Sequence, residues 1–135
     1  MTLIVDASVA LKWVVDEPGS EAAEQLRKDA LAAPDLWLIE TANALWTRAR
    51  RNLLSAADVT ALFSILCRAT VRTTPSHLDV IDALRLAAEL NHPVYDCLYL
   101  AAALREDGVV VTADTRFLAA VQGTLLSERV RRLGD

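Results

Sequence analysis

The sequence predicts an α/β fold in which helices cover both faces of a mainly parallel central sheet. Two short apolar runs, Leu3–Val5 and Val109–Thr112, are typical of strands that are buried on both faces. Stretches of helical character alternate with the strands along the chain, and this alternation favours parallel pairing. The length of 135 residues is typical of one domain, so we predict a single domain over residues 1–135.

The predicted elements of the first half are, in order, a strand over Leu3–Val5 and helices over residues 7–15, 20–30 and 34–51. Pro18 and Gly19 break the first helix, and Ser20 is expected to cap the second. Pro34 is expected to begin the third helix. Its C-terminal end carries several arginines, which suit the negative end of a helix dipole.

The predicted elements of the second half are a helix capped by Ser55, a strand over Val71–Thr74, a helix from His77 to Leu90 capped by Ser76, a helix from Tyr95 to Arg105, a strand over Val109–Thr112, a helix from Asp114 to about Val121, and an edge strand over Arg129–Leu133. The capping residues are of the types preferred at helix N-termini. Pro75 and Pro93 mark element boundaries, because proline does not continue a helix or a central strand.

Composition narrows the possible functions. No apolar run reaches the roughly 20 residues of a membrane span, and the first residues lack the basic region of a signal peptide, so we expect a cytoplasmic protein. Cys67 and Cys97 lack metal-ligand spacing and are expected to be buried, reduced side chains. His77 and His92 are too isolated to suggest a zinc site. The net charge of −4 disfavours binding nucleic acid by bulk electrostatics alone.

Two acids are expected at the same edge of the sheet. Asp6 follows the first strand directly, and Asp114 follows the strand Val109–Thr112 after one residue. Ligands of parallel α/β sheets bind outside the carboxyl ends of the strands. Each of these acids also precedes a helix, so a plain N-capping role is an equally good interpretation of either one alone.

Two further acids interrupt apolar stretches. Asp96 lies among apolar residues of a helix that should be buried nearly all round, where a lone carboxylate is costly unless it is paired or bound to metal. Its alternative role is a favourable charge in the first turn of the helix. Glu40 lies in a similar apolar context, with Asn43 on the same helix face, although a solvated helix face is also plausible there.

Together the four acids suit a magnesium ion, which takes oxygen ligands and keeps several waters. Such an ion can activate water and stabilise the leaving oxygen of a phosphodiester. Ser8 and Thr112 are candidates to orient a carboxylate or a bound water, or are ordinary capping and turn residues. Acids that converge without metal repel each other, so at least one should have a raised pKa.

The motifs around these acids resemble those of the PIN-domain ribonucleases, and most closely the VapC-type toxins of bacterial toxin–antitoxin pairs. The motifs are Val-Asp-Ala-Ser at the N-terminus, Glu40 followed by Asn43, Tyr95-Asp96, and Thr112 to Leu118. They occur in the family's order along nearly the whole chain. The last one, Thr-x-Asp-x-Arg-Phe, is the most specific.

The resemblance implies a three-layer α/β/α sandwich, magnesium or manganese as cofactor, and endonucleolytic cleavage of RNA. It places the family's acidic positions on Asp6, Glu40, Asp96 and Asp114. It places the accessory polar positions on Ser8, Asn43 and Thr112, and the basic position on Arg116. The expected partners are an RNA substrate, a cognate antitoxin that inserts a segment into an apolar groove, and a second copy of the chain in a homodimer.

Some features allow two interpretations. Trp13, Trp37 and Trp46 are expected to pack in the core, or else to line the groove for the partner. The arginines at positions 48, 50 and 51, and those between 129 and 132, are expected to be solvated, or else to contact RNA phosphates.

Two other functions compete with this interpretation. Response-regulator receiver domains are also small parallel α/β proteins that bind magnesium, but they need a second acid beside the first one and a late lysine. Asp6 has no acidic neighbour, and no lysine follows Lys28. A degenerate PIN module that only binds RNA or protein is the second alternative, and the complete set of acids argues against it.

Overall fold

The computed structural model describes all of residues 1–135. It contains one sheet of five strands in the order β3-β2-β1-β4-β5, and every neighbouring pair is parallel. The strands are β1 (Leu3–Val5), β2 (Leu31–Pro34), β3 (Arg72–Thr74), β4 (Val109–Thr112) and β5 (Val130–Arg132). This order differs from the 2-1-3-4-5 order of receiver domains.

Seven α-helices connect the strands. They are α1 (Ala7–Ala10), α2 (Ser20–Leu26), α3 (Leu36–Arg50), α4 (Ala56–Leu66), α5 (Val80–Leu90), α6 (Val94–Arg105) and α7 (Thr115–Val121). Short 3₁₀ segments cover Leu11–Trp13, Ser76–Leu78 and Leu125–Arg129. None of these helices is both long and apolar enough to cross a bilayer.

The connections divide the helices between the two faces of the sheet. The chain steps outward from β1 to β2 and β3, and then crosses back past β1 to β4 and β5. Right-handed crossovers place α1–α4 on one face and α5–α7 on the other. The contacts agree, since α6 packs on β1, β2 and β4 while α3 packs on α1 and α4. The predicted three-layer α/β/α architecture is therefore confirmed.

Helix α6 is the central helix of its layer. It is deeply buried, and the residues at both of its ends have specific backbone requirements. Seven consecutive residues, Cys97–Ala103, are buried. Asn91, with φ +50°, ends α5 in a left-handed conformation and lets Pro93 begin α6. Gly108 lies between α6 and β4, where a Cβ would come within 2.4 Å of the Thr2 carbonyl oxygen.

The strand β2 was not predicted. Its sequence is Leu-Ala-Ala-Pro, and alanine is a strong helix former with low strand propensity. The segment is nevertheless a fully buried strand, because it pairs with β1 on one side and with β3 on the other. Helix α3 accordingly begins at Leu36 rather than at Pro34.

Several local predictions were also wrong. Ser20 lies inside α2, and its hydroxyl donates to the Val15 carbonyl oxygen instead of capping the helix. Ser76 begins a 3₁₀ segment, and its hydroxyl donates to Asp35 Oδ1. Ser55, in contrast, caps α4 as predicted, since its hydroxyl accepts from the Asp58 N–H. The first helix continues beyond Ala10 only as a 3₁₀ segment.

The two cysteines differ in environment. Both are free thiols, and Cys97 is buried as predicted. Cys67 is exposed, so its predicted burial was wrong. It lies at the C-terminal end of α4, one residue after Leu66, which is the residue that turns into the core.

Candidate active site

The four predicted acids meet in one cavity of about 310 Å³ at the carboxyl ends of β1 and β4. Asp6 follows β1, Glu40 lies on α3, Asp96 on α6 and Asp114 before α7. A larger cavity of about 500 Å³ lies between α5 and α6, but none of the four acids lines it. We assign the candidate site to the smaller cavity because the fold gathers acids from four separate elements there.

Asp6 is the most buried of the four, with 2% of its surface exposed. Its Oδ1 accepts hydrogen bonds from the Ser8 hydroxyl and the Val9 N–H, and its Oδ2 accepts from the Thr112 hydroxyl. Burial raises the pKa of Asp6 to about 6, although these hydrogen bonds act in the opposite direction. Asp6 therefore both caps α1 and lines the cavity.

Ser8 and Thr112 form a polar link between the ends of β1 and β4. Their hydroxyl oxygens lie 3.4 Å apart, and each donates to Asp6. Ser8 Oγ also accepts from the Ala113 N–H, and Thr112 Oγ1 accepts from the Asp114 N–H. The two hydroxyls therefore position the backbone that carries Asp114 as well as the carboxylate of Asp6.

Asp114 is likewise both a helix cap and a cavity residue. Its Oδ1 accepts from the N–H groups of Arg116 and Phe117, at 2.9 and 3.4 Å, and so caps α7. Its Oδ2 has no hydrogen-bond partner in the protein, which leaves this oxygen available to a ligand in the cavity.

Asp96 is paired with His92, which was not predicted to belong to the site. His92 Nε2 lies 2.6 Å from Asp96 Oδ2, and an ionised carboxylate can only accept, so Nε2–H is the donor. The imidazole ring stacks on Phe117, with ring centroids 5.7 Å apart. Burial raises the pKa of Asp96, and the charge of Asp114 adds to this effect. The four-residue spacing of His92 and Asp96 was the available signal.

Glu40 is held by a buried tyrosine. The Tyr99 hydroxyl donates to Glu40 Oε1 at 2.6 Å, and Tyr99 is fully buried. Burial raises the pKa of Glu40, and the charge of Asp96 raises it further. Burial also raises the pKa of Tyr99, which keeps the hydroxyl protonated as a donor. Tyr99 was not predicted as a site residue, because it lies three residues after Asp96 in an apolar helix.

Three of the four predicted accessory residues lie outside the lining of the cavity. Thr112 is buried behind Asp6, to which its hydroxyl donates. Asn43 is exposed, and Ala44, one turn beyond Glu40, lines the cavity instead. The Arg116 side chain is exposed and forms no ion pair, so only its backbone N–H contacts an acid of the site.

The donor set suits a divalent cation of the magnesium type. One oxygen each of Glu40, Asp96 and Asp114 has no hydrogen-bond partner, and all three are hard carboxylate oxygens. The side chains are not drawn together tightly enough for three of them to enclose an ion. The arrangement therefore fits an ion that is held by one or two carboxylates and completes its shell with water.

The raised pKa values of the cavity acids have burial as their first cause. Desolvation is the largest effect on the pKa of Asp6, Glu40 and Asp96; hydrogen bonds that lower the pKa come next, and the repulsion among the acids is smaller than these hydrogen bonds. Asp96 is the common neighbour, since its charge raises the pKa of both Asp6 and Glu40. A cation bound in this cavity would relieve the cost of keeping these carboxylates charged.

The three tryptophans differ in burial, so core packing explains two of them and contact with a partner remains possible for the third. Trp13 and Trp37 pack edge to face, with ring centroids 6.5 Å apart, and Trp37 is buried. Trp46 is 53% exposed, and the Arg50 guanidinium lies over its ring. Trp46 alone thus remains a candidate for contact with a partner.

Some arginines of the two groups at positions 48–51 and 129–132 form ion pairs with acids. Arg48 pairs with Glu17, and Arg129 pairs with Asp107. Arg131 and Arg132 on β5 are exposed and form no ion pair.

The chain resembles known proteins in both sequence and structure. Residues 3–122 match the family described as PIN domain. The chain is 36% identical to Ribonuclease VapC3 of Pyrobaculum aerophilum over 118 residues, which cover 84% of this chain and 90% of the relative.

Among solved structures, PAE2754 from Pyrobaculum aerophilum has a TM-score of 0.69 at 26% identity, covering 92% of this chain and 82% of the other. A chain of a toxin–antitoxin complex from Klebsiella pneumoniae has a TM-score of 0.62 at 15% identity, covering 91% and 95%.

Proposed function

The chain belongs to the PIN domain family, in its VapC-type branch, and from this premise we propose that it is a magnesium-dependent endoribonuclease, the toxin of a type II toxin–antitoxin pair. The relative with 36% identity is named a ribonuclease. The observation that carries the proposal to this chain is the single cavity in which Asp6, Glu40, Asp96 and Asp114 meet.

We assign the metal ligands to the same four residues. Asp6, Asp96 and Asp114 would hold magnesium or manganese, one or two of them by direct contact and the others through water, and Glu40 would bind it directly or through water. An ion bound there would supply the positive charge that lowers the pKa of a bound water and offsets the charge of the phosphate. The bare cavity is lined by four acids in a chain of net charge −4, which by itself repels a phosphate.

The protein groups around the acids set their roles. Ser8 and Thr112 orient Asp6, and His92 orients Asp96. Glu40 has one oxygen bonded to Tyr99 and the other free. Burial raises its pKa, which makes it a better proton acceptor than an exposed glutamate. We therefore propose Glu40 as the base that takes the proton of the attacking water, if it does not bind the ion itself.

The RNA would approach along the carboxyl edge of the sheet. Arg116 and Arg132 are exposed and unpaired there, since Arg132 is in register with Thr112. Arginines of this kind contact phosphates and position the strand without reading its sequence. An RNA-binding role for these two side chains is thus part of the proposal.

A homodimer is the proposed assembly. The outer face of α5 and the preceding 3₁₀ segment expose Leu78, Ile81 and Leu84. Contiguous apolar surface of this kind is typical of an interaction site, and two-fold symmetry is the commonest arrangement. The proposed antitoxin would occupy a different apolar surface, on α3, where Ile39 and Trp46 are exposed two turns apart.

Cleavage of a labelled RNA tests the proposed function. The purified protein is incubated with magnesium, with manganese and with a chelator, beside the Asp6→Asn variant and the exposed-acid control Asp82→Asn. We expect cleavage only with metal, and a loss of at least about a hundredfold in Asp6→Asn alone. Cleavage that persists in chelator, or full activity in Asp6→Asn, would contradict the metal site. Metal-independent RNA binding without cleavage would favour a degenerate module.

A further inference from the structure

We propose that Tyr99 is a positioning residue that holds Glu40 in the cavity and so sets how tightly the site binds its divalent ion. This inference rests on the proposed function. It concerns a residue that touches neither the cavity nor a ligand, and acts only through the carboxylate that its hydroxyl contacts.

The contact joins the two helical layers. Glu40 belongs to α3 on one face of the sheet, and Tyr99 belongs to α6 on the other. Their hydrogen bond of 2.6 Å passes over the carboxyl edge of the sheet, at the cavity. The position of Glu40 relative to Asp96, which lies one turn before Tyr99 on α6, is therefore set by a direct bond rather than by backbone packing alone.

The bond also selects one oxygen of the carboxylate. The Tyr99 hydroxyl occupies Glu40 Oε1, while Oε2 has no partner in the protein. A glutamate has three rotatable bonds, and a half-buried one without this anchor would sample several rotamers at an entropic cost to any ligand that fixed it. The buried phenol removes that freedom before a ligand arrives.

The surroundings of Tyr99 argue against a purely structural role for the hydroxyl. Its ring is packed in the core, where a phenylalanine of nearly the same shape would fit. The hydroxyl forms a single hydrogen bond, and its partner is a carboxylate of the cavity. Partners of this kind, which orient a metal ligand, typically contribute ten- to a hundredfold to metal affinity.

Manganese binding to the RNA-free protein tests the proposal. The affinities of wild type, Tyr99→Phe and Tyr95→Phe are measured by electron paramagnetic resonance, and thermal melts in chelator report on the fold. Tyr95 is the matched control, because it lies on the same helix, is exposed and forms no hydrogen bond. We expect Tyr99→Phe to bind manganese about tenfold or more weakly, and Tyr95→Phe to bind it like wild type.

A double-mutant cycle separates positioning from general destabilisation. In a Glu40→Ala background, Tyr99→Phe should cause no further loss of manganese affinity, since its only route to the ion is gone. Equal losses in both backgrounds would overturn the proposal. So would a Tyr99→Phe variant that melts lower but binds manganese like wild type, because that result describes a structural hydroxyl only.

A second measurement keeps the wild-type fold. The chain has two tyrosines, so protein labelled with 3-fluorotyrosine gives two fluorine resonances, which the Tyr95→Phe variant assigns. Magnesium should shift the Tyr99 resonance and leave that of Tyr95 in place. An unmoved Tyr99 resonance at saturating magnesium overturns the inference. If wild type binds no manganese, the proposed function fails, and this inference fails with it. If wild type binds manganese and cleaves RNA, and Tyr99→Phe has the same manganese affinity, only this inference fails.

Discussion

Thr112 donates a hydrogen bond from its hydroxyl to Asp6 Oδ2, although the two residues are 106 positions apart in the chain. The bond crosses from β4 to the end of β1, next to the strand pairing of Val5 with Val111. Thr112 is fully buried, and its oxygen also accepts from the Asp114 N–H. One hydroxyl therefore holds the first and the last acid of the cavity in fixed relation.

Replacing Thr112 with valine should destabilise the metal-free protein at neutral pH. The change keeps the shape but removes the hydrogen bond that lowers the pKa of Asp6, so this pKa should rise further above its ordinary value. Loss of a bond to a charged group costs about 2 kcal/mol. Denaturant unfolding in chelator measures the free energy, and an NMR titration follows Asp6.

The matched control is Thr41→Val. Thr41 is equally buried, but its hydroxyl donates to the Trp37 carbonyl oxygen within α3. This variant should leave the pKa of Asp6 unchanged. An Asp6 titration that moves equally in both variants would mean that Thr112 acts through general loosening of the core.

The stability of the metal-free protein should fall as the pH rises from about 4 to about 6. Asp6 has a folded pKa of about 6 against an ordinary value of 3.8, so the folded state binds more protons than the unfolded state in this window. The difference corresponds to about 3 kcal/mol from Asp6 alone. Glu40 and Asp96 contribute with the same sign, because burial raises their pKa values too.

Asp6→Asn isolates this contribution. The variant cannot titrate at position 6, so its stability should decline less between these pH values when both proteins unfold in chelator. Magnesium should flatten the wild-type profile as well, since the ion binds only the folded, charged site. Parallel profiles for wild type and Asp6→Asn would show that the buried carboxylate does not titrate in this window.

Substitutions of Asp114 should separate capping from metal binding. Asparagine keeps the capping oxygen that accepts from Arg116 and Phe117, whereas alanine removes it and should cost about 1 kcal/mol. We expect Asp114→Asn to melt in chelator no lower than wild type, yet to gain less from manganese. Thermal melts across a manganese titration measure this gain in melting temperature. A gain equal to that of wild type would remove Asp114 from the site.

Leu84→Glu should abolish the proposed homodimer. Leu84 lies one turn from Ile81 on the exposed face of α5. At a two-fold interface through this face, the introduced glutamate would be buried close to the same glutamate of the second protomer, and the two charges would repel each other. Leu125→Glu is the control, because Leu125 is 97% exposed outside this face. Light scattering at micromolar concentration should give a monomer for the first variant and a dimer for the second. A wild-type monomer would contradict the assembly.

The sequence predicts those buried strands that are rich in β-branched residues. Val109–Thr112 and Leu3–Val5 were located correctly, and the edge strand within Arg129–Leu133 was confirmed as β5. Leu31–Pro34 was missed because its alanines favour a helix, and only the neighbouring strands make it extended. Strand β2 is therefore a product of tertiary pairing, which local sequence does not contain.

The acids of the cavity could be predicted, as could the hydroxyl partners of Asp6, but the partners of Glu40 and Asp96 could not. Two of the acids follow strands, so the topology of a parallel sheet brings them together. His92 and Tyr99 contact their acids through side-chain directions that depend on where α6 begins and on how α3 lies across the sheet. The four-residue spacing of His92 and Asp96 was compatible with contact, but Tyr99, in an apolar stretch, had no comparable signal.

The link between Thr112 and Asp6 has a consequence for synthesis of the protein. During synthesis, Asp6 is added to the chain 106 residues before its partner Thr112, and Asp114 follows Thr112. A fragment released by a premature stop codon before that point lacks both the strand that supports Asp6 and the last acid. We therefore expect a chain that stops before β4 to be inactive on RNA, because its set of acids is incomplete.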